Sequence, residues 1–535
     1  MTANRLQPVL DPHQLAVELA NKMLINGAST PAISGRTFPV ENPATGEAVA
    51  EAPFGEAGDV AAAVASAKKA QRAWAGRPAR ERGKLLAECG RLLNDHVEEL
   101  GRLVALETGK ALRTESRVEA SVLADVFVFY GGLGSELKGE TVPFNPKMLT
   151  LTLRQPLGVV GAIIPWNVPL LLMALKIAPA LVAGNSVVVK TAEEAPLAAL
   201  RAAQIMNQIL PPGVFNLLTG YGPECGGPLV AHRDVRKVTF TGSVETGKIV
   251  YKTAAEKLIP VTLELGGKSP MIVMEDADLD KAVAGAVVGM RFTRQGQSCT
   301  AASRMFVHEA VHDAFVEKLK AKVDAMKMGD PLDEATDIGS IISPQQYERV
   351  TGYIKLGRAT PGAVAHECSA MPKDARFKKG LFVAGDLHGH RQQPPHRARG
   401  DFRAGHRGDQ MARLRGGHRG RQRFRVRPRR HRVDERPAQG ARRDAPARGR
   451  LRPGQPEPRG AAGPLLRRLQ ALGPRPRGLA RGHARPLHRE EDDHTEHGVR
   501  PRRAETSQAC VGAFSGAGQC HRMILRDSRF AASSG

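Results

Sequence analysis

The stretch GVVGAIIPWNVPLLLMALKIAPALVAGNSVVVK (158–190) decides the fold. Two short β-branched runs, VVGAIIP (159–165) and SVVVK (186–190), enclose an apolar segment of helix length from about Pro169 to Ala183. Runs that are apolar on both faces suit parallel strands buried in the middle of a sheet, and the segment between them is long enough to cross back over it. The alternation then repeats. A helix from about Pro196 to Ile209 is followed by VFNLLTG (214–220), KVTFTG (237–242), another helix and PVTLELGG (260–267). Such βαβ repetition predicts an α/β fold with a parallel sheet covered on both faces across 158–267.

Toward the N-terminus, charged and apolar positions alternate at helical spacing in Asp59–Trp74, Arg80–Glu107 and Thr114–Leu137, so residues 1–138 read as a helical layer. Between layer and sheet, GETVPFNPKMLTLTLRQP (139–156) alternates Leu and Thr between Gly139 and Pro156, as a two-stranded hairpin would. Residues 268–383 mix strand-like runs (PMIVM, 270–274; RMFVH, 304–308) with helices, notably Glu309–Met326, and read as a second α/β domain.

Composition separates the chain at Val383. The formal charge of the 535 residues is +24, yet residues 384–535 hold 35 Arg, no Lys and 14 acidic residues, which leaves +3 for residues 1–383. The first part is an ordinary, nearly neutral globular chain. Cys89, Cys225, Cys299, Cys368, Cys510 and Cys520 show neither paired nor metal-type spacing, so no disulfide framework and no metal site is expected, and a reducing, cytoplasmic setting fits. The most apolar stretch, Gly158 to Val189, is interrupted by Trp166, Asn167, Lys176 and Asn185; no membrane span and no leader peptide are expected.

Two residues are candidates for chemistry. Cys299 lies among small and polar residues in GQSCT (296–300), where a thiol can be accessible, although a cysteine is as readily a packed core residue. Glu264 ends a strand run before Gly266 and Gly267, where it can activate water or sit as a solvated loop residue paired with Lys268.

The chain resembles the aldehyde dehydrogenase superfamily at NPATGE (42–47), ETGK (107–110), PWN (165–167), GNSVVVK (184–190), FTGSVETG (240–247), LELGGKSP (263–270) and GQSCTAASR (296–304), in the family's order over about 340 residues. The resemblance implies a Rossmann-type NAD-binding domain. Its parts are the helical layer 1–138, an oligomerisation hairpin 139–157 and the βαβ core 158–267, joined to an incomplete catalytic domain 268–383. It implies that an aldehyde is oxidised to a carboxylic acid through a Cys299 thiohemiacetal and thioester, with Glu264 as the base for the hydrolytic water. Asn167 is implied as oxyanion donor, together with the Cys299 backbone N–H; a turn or helix-cap role before Pro169 is the alternative. No GxGxxG follows the first strand. The cofactor contacts implied instead are Ile164, Pro165, Trp166, Lys190, Glu193, Gly222, Phe240, Gly242, Ser243 and Leu265. Gly242 and Ser243 open a helix whose N-terminal N–H groups suit phosphate, or form a routine cap. Lys190 and Glu193 meet the adenosine ribose, or form a surface pair. A carboxylate there favours NAD over NADP. The specific aldehyde is not legible; Trp166, Val168, Leu171 and Phe292 are expected as apolar tunnel walls.

After GLFV (380–383) the resemblance stops, and the Arg-rich stretch 384–535 has no apolar periodicity for a core, which by composition reads as disordered. One reading is a nucleic-acid or polyanion binder. The genetic code supplies another. Read one nucleotide later, codons allowed for RGDFRAGHR (399–407) can spell EEIFGPVI, those for RQRFRVRPRRHRVDE (421–435) ANDSEYGLAATVWT, and those for LHREEDDHTEH (487–497) FTEKKTITLN. All three share one offset and resemble consecutive C-terminal family segments, so a frameshift near Ala384 is the expectation. The first of these segments supplies a carboxylate for the nicotinamide ribose, and a later strand joins the 139–156 hairpin. Their loss puts activity, and the dimers or tetramers usual in the family, in doubt for this chain.

Overall fold

The computed structural model describes residues 11–361, 363–368 and 370–390. The expected βαβ core is present. Strands Val159–Ile163, Ser186–Lys190, Phe215–Leu218, Val235–Gly242 and Val261–Leu265 form a parallel array. Val159–Ile163 lies between Ser186–Lys190 and Val235–Gly242, so successive crossovers build the sheet first to one side and then to the other. In a doubly wound sheet, the crevice where the winding reverses opens beyond the C-terminal strand ends, which is where ligands bind.

The N-terminal layer departs from its helical reading. Met23–Ile25 and Ala28–Thr30 extend the main sheet beyond Phe215–Leu218 as antiparallel strands. Thr37–Asn42 and Glu47–Pro53 form a separate two-stranded hairpin. Thr37–Asn42 alternates exposed and buried residues, the period-2 pattern of a half-covered strand. Three-residue strands are too short to show a period. Further on, Arg80–Glu107 is two helices, Ala79–Asp95 and Val97–Thr108, joined at His96 (φ −110°, ψ 14°).

Helix Arg117–Gly132 packs Leu123, Ala124 and Phe127 into the main core, between Ala79–Asp95 and Pro169–Val182. Its approach to Ala79–Asp95 requires glycine: a Cβ on Gly83 would stand 2.3 Å from the Gly131 carbonyl oxygen. Together with its flanking turns, Leu112–Glu136 is long and apolar enough to cross a membrane; in this fold it is a core element. The Trp74 indole, also in the core, donates to the Leu181 carbonyl at 2.9 Å.

The hairpin forms from Thr141–Asn145 and Met148–Leu151, and it leaves Phe144, Leu149 and Leu153 exposed. Beyond the main sheet, Pro270–Val273 and Arg304–Val307 pair in parallel over a separate core of Val273, Val283, Phe315, Leu319 and Val323. Gly385–His390 pairs with Ala363–Cys368, so ordered backbone runs past the expected end at Val383. A β-ladder is made by the main chain and can outlast the apolar side-chain pattern. The rest of the Arg-rich stretch, and with it the expectation of disorder, lies outside the described residues.

Phe127 is fully buried. Phe127→Ala is expected to lower the unfolding free energy by about 3–5 kcal/mol, seen as a reduced denaturant midpoint at unchanged slope. A loss below about 0.5 kcal/mol, the usual range for surface substitutions, would contradict this packing.

Candidate functional site

Sheet register brings the candidate residues to one edge. Ile163 stands opposite both Lys190 and Phe240, Lys190 opposite Leu218, Thr241 opposite Glu264, and Gly242 opposite Leu265. Ile164–Asn167, Lys190–Glu193, Gly222, Gly242–Ser243 and Glu264–Leu265 therefore all lie at the C-terminal ends of adjacent strands.

Cys299 reaches this edge from the second core. Helix Leu279–Met290 ends at Arg291 in the left-handed region (φ 59°), and the following turn Phe292–Arg294 ends at Gln295, also left-handed (φ 51°). Two such non-glycine residues within five positions are costly backbone states that surrounding contacts must hold in place. Glu115 does so from the N-terminal layer, accepting from Thr293 and, at 2.8 Å, from Arg294 Nε. Gln297 fixes the next step: its side-chain oxygen accepts from the Ile342 N–H at 3.2 Å, and its carbonyl accepts from Asn167 Nδ2 at 3.2 Å. A Cβ built on Gly267 would lie 3.7 Å from the Cys299 carbonyl oxygen, so the segment after Glu264 passes the cysteine in ordinary contact.

Cys299 is only half-buried, whereas burial pushes the enclosed Cys89 and Cys225 thiols up to about 12. Asn167 caps no helix: Val168 is the N-cap residue of Pro169–Val182, and the Asn167 amide spans to Gln297 instead. An amide nitrogen has two N–H groups, and the contact with Gln297 uses one. Among the described residues the Cys299 N–H has no acceptor. Glu264 lies within a strand, with its side chain exposed, rather than in a loop. Lys190 is buried and pairs with half-buried Glu193 at 3.0 Å, so this is not a surface pair.

Ser243 is a genuine helix cap: its Oγ accepts from the Thr246 N–H at 3.1 Å. Gly242 has no room for a side chain, because a Cβ would meet the Phe240 ring at 2.4 Å. Leu265 packs against Gly247 of the helix that Ser243 caps. Gly222 begins the turn Gly222–Gly226 with open space where a Cβ would stand. Ile164, Pro165 and Trp166 are buried, and Trp166 packs with Ala192, Ala195 and Ile342. Of the expected tunnel residues, Val168 is buried, Leu171 half-buried, and Phe292 belongs to the second core. The described residues contain no cluster of three or more His, Cys, Asp or Glu suited to a metal ion.

Lys176 went unrecognised in the sequence except as an interruption, although one lysine inside PLLLMALKIAPALV was its signal. Its Nζ donates to Thr239 Oγ1 at 3.2 Å, and burial pulls its pKa down to about 8 against the opposing pull of the Glu264 carboxylate.

A doubly wound α/β sheet that carries Asn167 and Glu264 at its C-terminal strand ends, with the loop of half-buried Cys299 beside them, defines the class of protein. Residues 30–386 match the aldehyde dehydrogenase family, and the chain belongs to it. It is 45% identical over 341 residues to a mitochondrial benzaldehyde dehydrogenase of Antirrhinum majus, covering 63% of this chain and 64% of that relative. It is 44% identical over 366 residues to the mitochondrial aldehyde dehydrogenase family 2 member B4 of Arabidopsis thaliana, covering 68% and 67%. The chain thus spans about two thirds of the length of these relatives. The NAD+ complex of an aldehyde dehydrogenase from Bacillus cereus superposes with a TM-score of 0.67 at 37% identity, covering 71% of this chain and 77% of that one.

Two measurements test the site's electrostatics. At neutral pH, iodoacetamide should label half-buried Cys299 at least about 100-fold faster than Cys89 or Cys225, whose enclosed thiols stay protonated; equal rates in peptide mapping would contradict the accessibility of Cys299. For Lys176, the unfolded chain retains its proton up to about 10.5 while the folded chain loses it at about 8. The unfolded state binds more protons in that window, so this residue makes stability rise with pH by up to about 3 kcal/mol. Lys176→Met should remove that rise between pH 8 and about 10.5; an unchanged pH profile would show that Lys176 is not so perturbed.

Proposed function

We propose that the chain carries the machinery to oxidise an aldehyde to a carboxylic acid, with NAD as hydride acceptor and water as the second reactant. The observation that carries this reading is the bond from Asn167 to Gln297, 130 residues away, which places an amide donor beside the cysteine loop. In this reading the Cys299 thiolate bonds to the aldehyde carbon, and the carbonyl π pair moves onto oxygen. The second Asn167 N–H and the Cys299 N–H donate to that oxygen as its charge develops. A bound NAD would supply the hydride acceptor here, and loss of hydride from this carbon as its C=O re-forms would leave a thioester on Cys299. Glu264 takes a proton from water as the water oxygen attacks the thioester carbon. The C–S bond breaks, the acid leaves, and Cys299 returns as thiolate.

The residues at the edge fit the dinucleotide. Bare Gly242 and the Ser243-capped helix leave backbone N–H groups for its phosphates, while Lys190 and Glu193 suit the adenosine ribose. Ile164, Pro165, Trp166, Gly222, Phe240 and Leu265 shape the same crevice. The Glu193 carboxylate would repel a 2′-phosphate, which favours NAD over NADP. The exposed residues of the 139–157 hairpin suit a dimer or tetramer, and the free thiols suit a reducing, cytoplasmic setting. An aryl aldehyde is the first substrate to try, given the plant relative's name.

We read residues 384–535 as translated in a shifted frame, so this exact chain lacks the second family carboxylate and turns over poorly. Resequencing the gene around codon 384 tests the shift, and restoring the frame should restore NADH production from aldehydes. In the restored chain, Cys299→Ala should abolish turnover. Glu264→Gln should lower kcat by about 10²–10⁴-fold while a thioester accumulates on the Cys299 peptide in mass spectra. Full turnover by Cys299→Ala would refute the mechanism.

A further inference from the structure

Lys110, the last residue of the ETGK motif, belongs to a buried charge pair that the reaction above does not use. Lys110 and Glu119 pair with side chains 2% exposed. Lys110 follows Gly109, whose left-handed backbone (φ 73°) ends helix Val97–Thr108, and a Cβ there would stand 2.2 Å from Ser340 Oγ. Glu119 lies in the first turn of Arg117–Gly132. Both partners reach the same short turn. Lys110 Nζ donates to the Asn167 carbonyl at 2.9 Å, and Glu119 Oε1 accepts from the Leu170 N–H at 2.8 Å.

Two charges taken this far from water are costly, and such a pair adds little stability compared with apolar residues of the same shape. What it can supply is geometry. The Asn167 side chain also has a cost: its Oδ1 is buried with no hydrogen-bond partner among the described residues. The Nδ2 bond to the Gln297 carbonyl fixes which way the amide faces, and the backbone of the turn fixes where the amide stands. The contacts at Asn167 O and Leu170 N hold the turn at both ends.

We propose that Lys110 and Glu119 are positioning residues that together hold the Asn167 turn, so that the Asn167 amide stands ready at the Cys299 loop. This rests on the oxyanion reading of Asn167 given above. The pair touches no reacting atom and acts only through the backbone of residues 167–170.

The test uses the full chain without NAD. 4-Nitrophenyl acetate acylates a cysteine through a tetrahedral oxyanion and releases nitrophenolate, whereas iodoacetamide alkylates the same sulfur with no oxyanion. Lys110→Met alone leaves Glu119 buried and unpaired, so the informative variant is Lys110→Met/Glu119→Gln, which removes both charges and keeps an acceptor for the Leu170 N–H. Acylation of Cys299 in this variant should slow about 10²-fold, the scale of losing one oxyanion donor, with alkylation changed less than about twofold. Adding Asn167→Ala should slow acylation no further, since residues acting as one unit are not additive. Equal slowing of both reactions, or additive losses, would make the pair a general structural tie and overturn the proposal. Normal acylation in the pair variant would also overturn it, provided that Asn167→Ala alone is slow. If Asn167→Ala acylates normally, or the unaltered chain does not acylate at Cys299, the oxyanion reading itself falls, and this inference with it. A pair variant that fails to fold by circular dichroism would likewise assign the pair to stability and overturn the proposal.

Discussion

The parallel register of three strands is the constraint on which the candidate site depends. Val235–Gly242 pairs with Val159–Ile163 on one side and Val261–Leu265 on the other, with Phe240 opposite both Ile163 and Leu263. Parallel strands end on the same side, so one ladder delivers the PWN turn, the Gly242–Ser243 helix start and Glu264 to a common edge. Because side chains alternate faces, a slip of one residue would turn Glu264 to the other face of the sheet and exchange Lys176's partner Thr239 for a neighbour.

The cysteine reaches that edge through a different kind of force. Its loop leaves a helix in strained left-handed steps, and polar bonds across distant parts of the chain hold it: Glu115 to Thr293 and Arg294, Gln297 to Ile342, Asn167 to Gln297. Residues 107–119 recur in this framework. Glu107 accepts from the Leu197 and Ala198 N–H groups and serves a helix start that has no side-chain cap of its own. Lys110 and Glu119 hold the Asn167 turn, and Glu115 holds the cysteine loop. One polar segment of the N-terminal layer thus connects the sheet edge to the second core.

The apolar side of the molecule supports this arrangement without specifying it. Gly83 and Gly131 let two helices approach closely, and Phe127, Leu123 and Trp74 fill the space beside the sheet. Burial is non-directional and fixes compactness, whereas the hydrogen-bonded carboxylates fix which turns meet. Lys176 lies between the two regimes: a charge inside an apolar helix, tolerated because Thr239 accepts from it and because its pKa has moved.

Much of this was legible in the sequence alone. The β-branched runs of 158–267 carry their own period, so the parallel core, its strand order in the chain and the helices between them could be read locally. Local sequence also singled out Cys299 and Glu264, the family resemblance implied Asn167, and the charge imbalance marked where the family pattern ends. The three-residue strands Met23–Ile25 and Ala28–Thr30 were not legible, since so few residues show no period and only the edge of Phe215–Leu218 makes them strands. Nor was the break at His96, where two helical periods run on almost in phase. Above all, sequence spacing could not say which buried charges face which. That Lys110 meets Asn167, that Glu115 meets Arg294 and that Lys190 is buried beside Glu193 are long-range or burial-dependent facts. They follow from how the layers pack, and only the tertiary structure decided them.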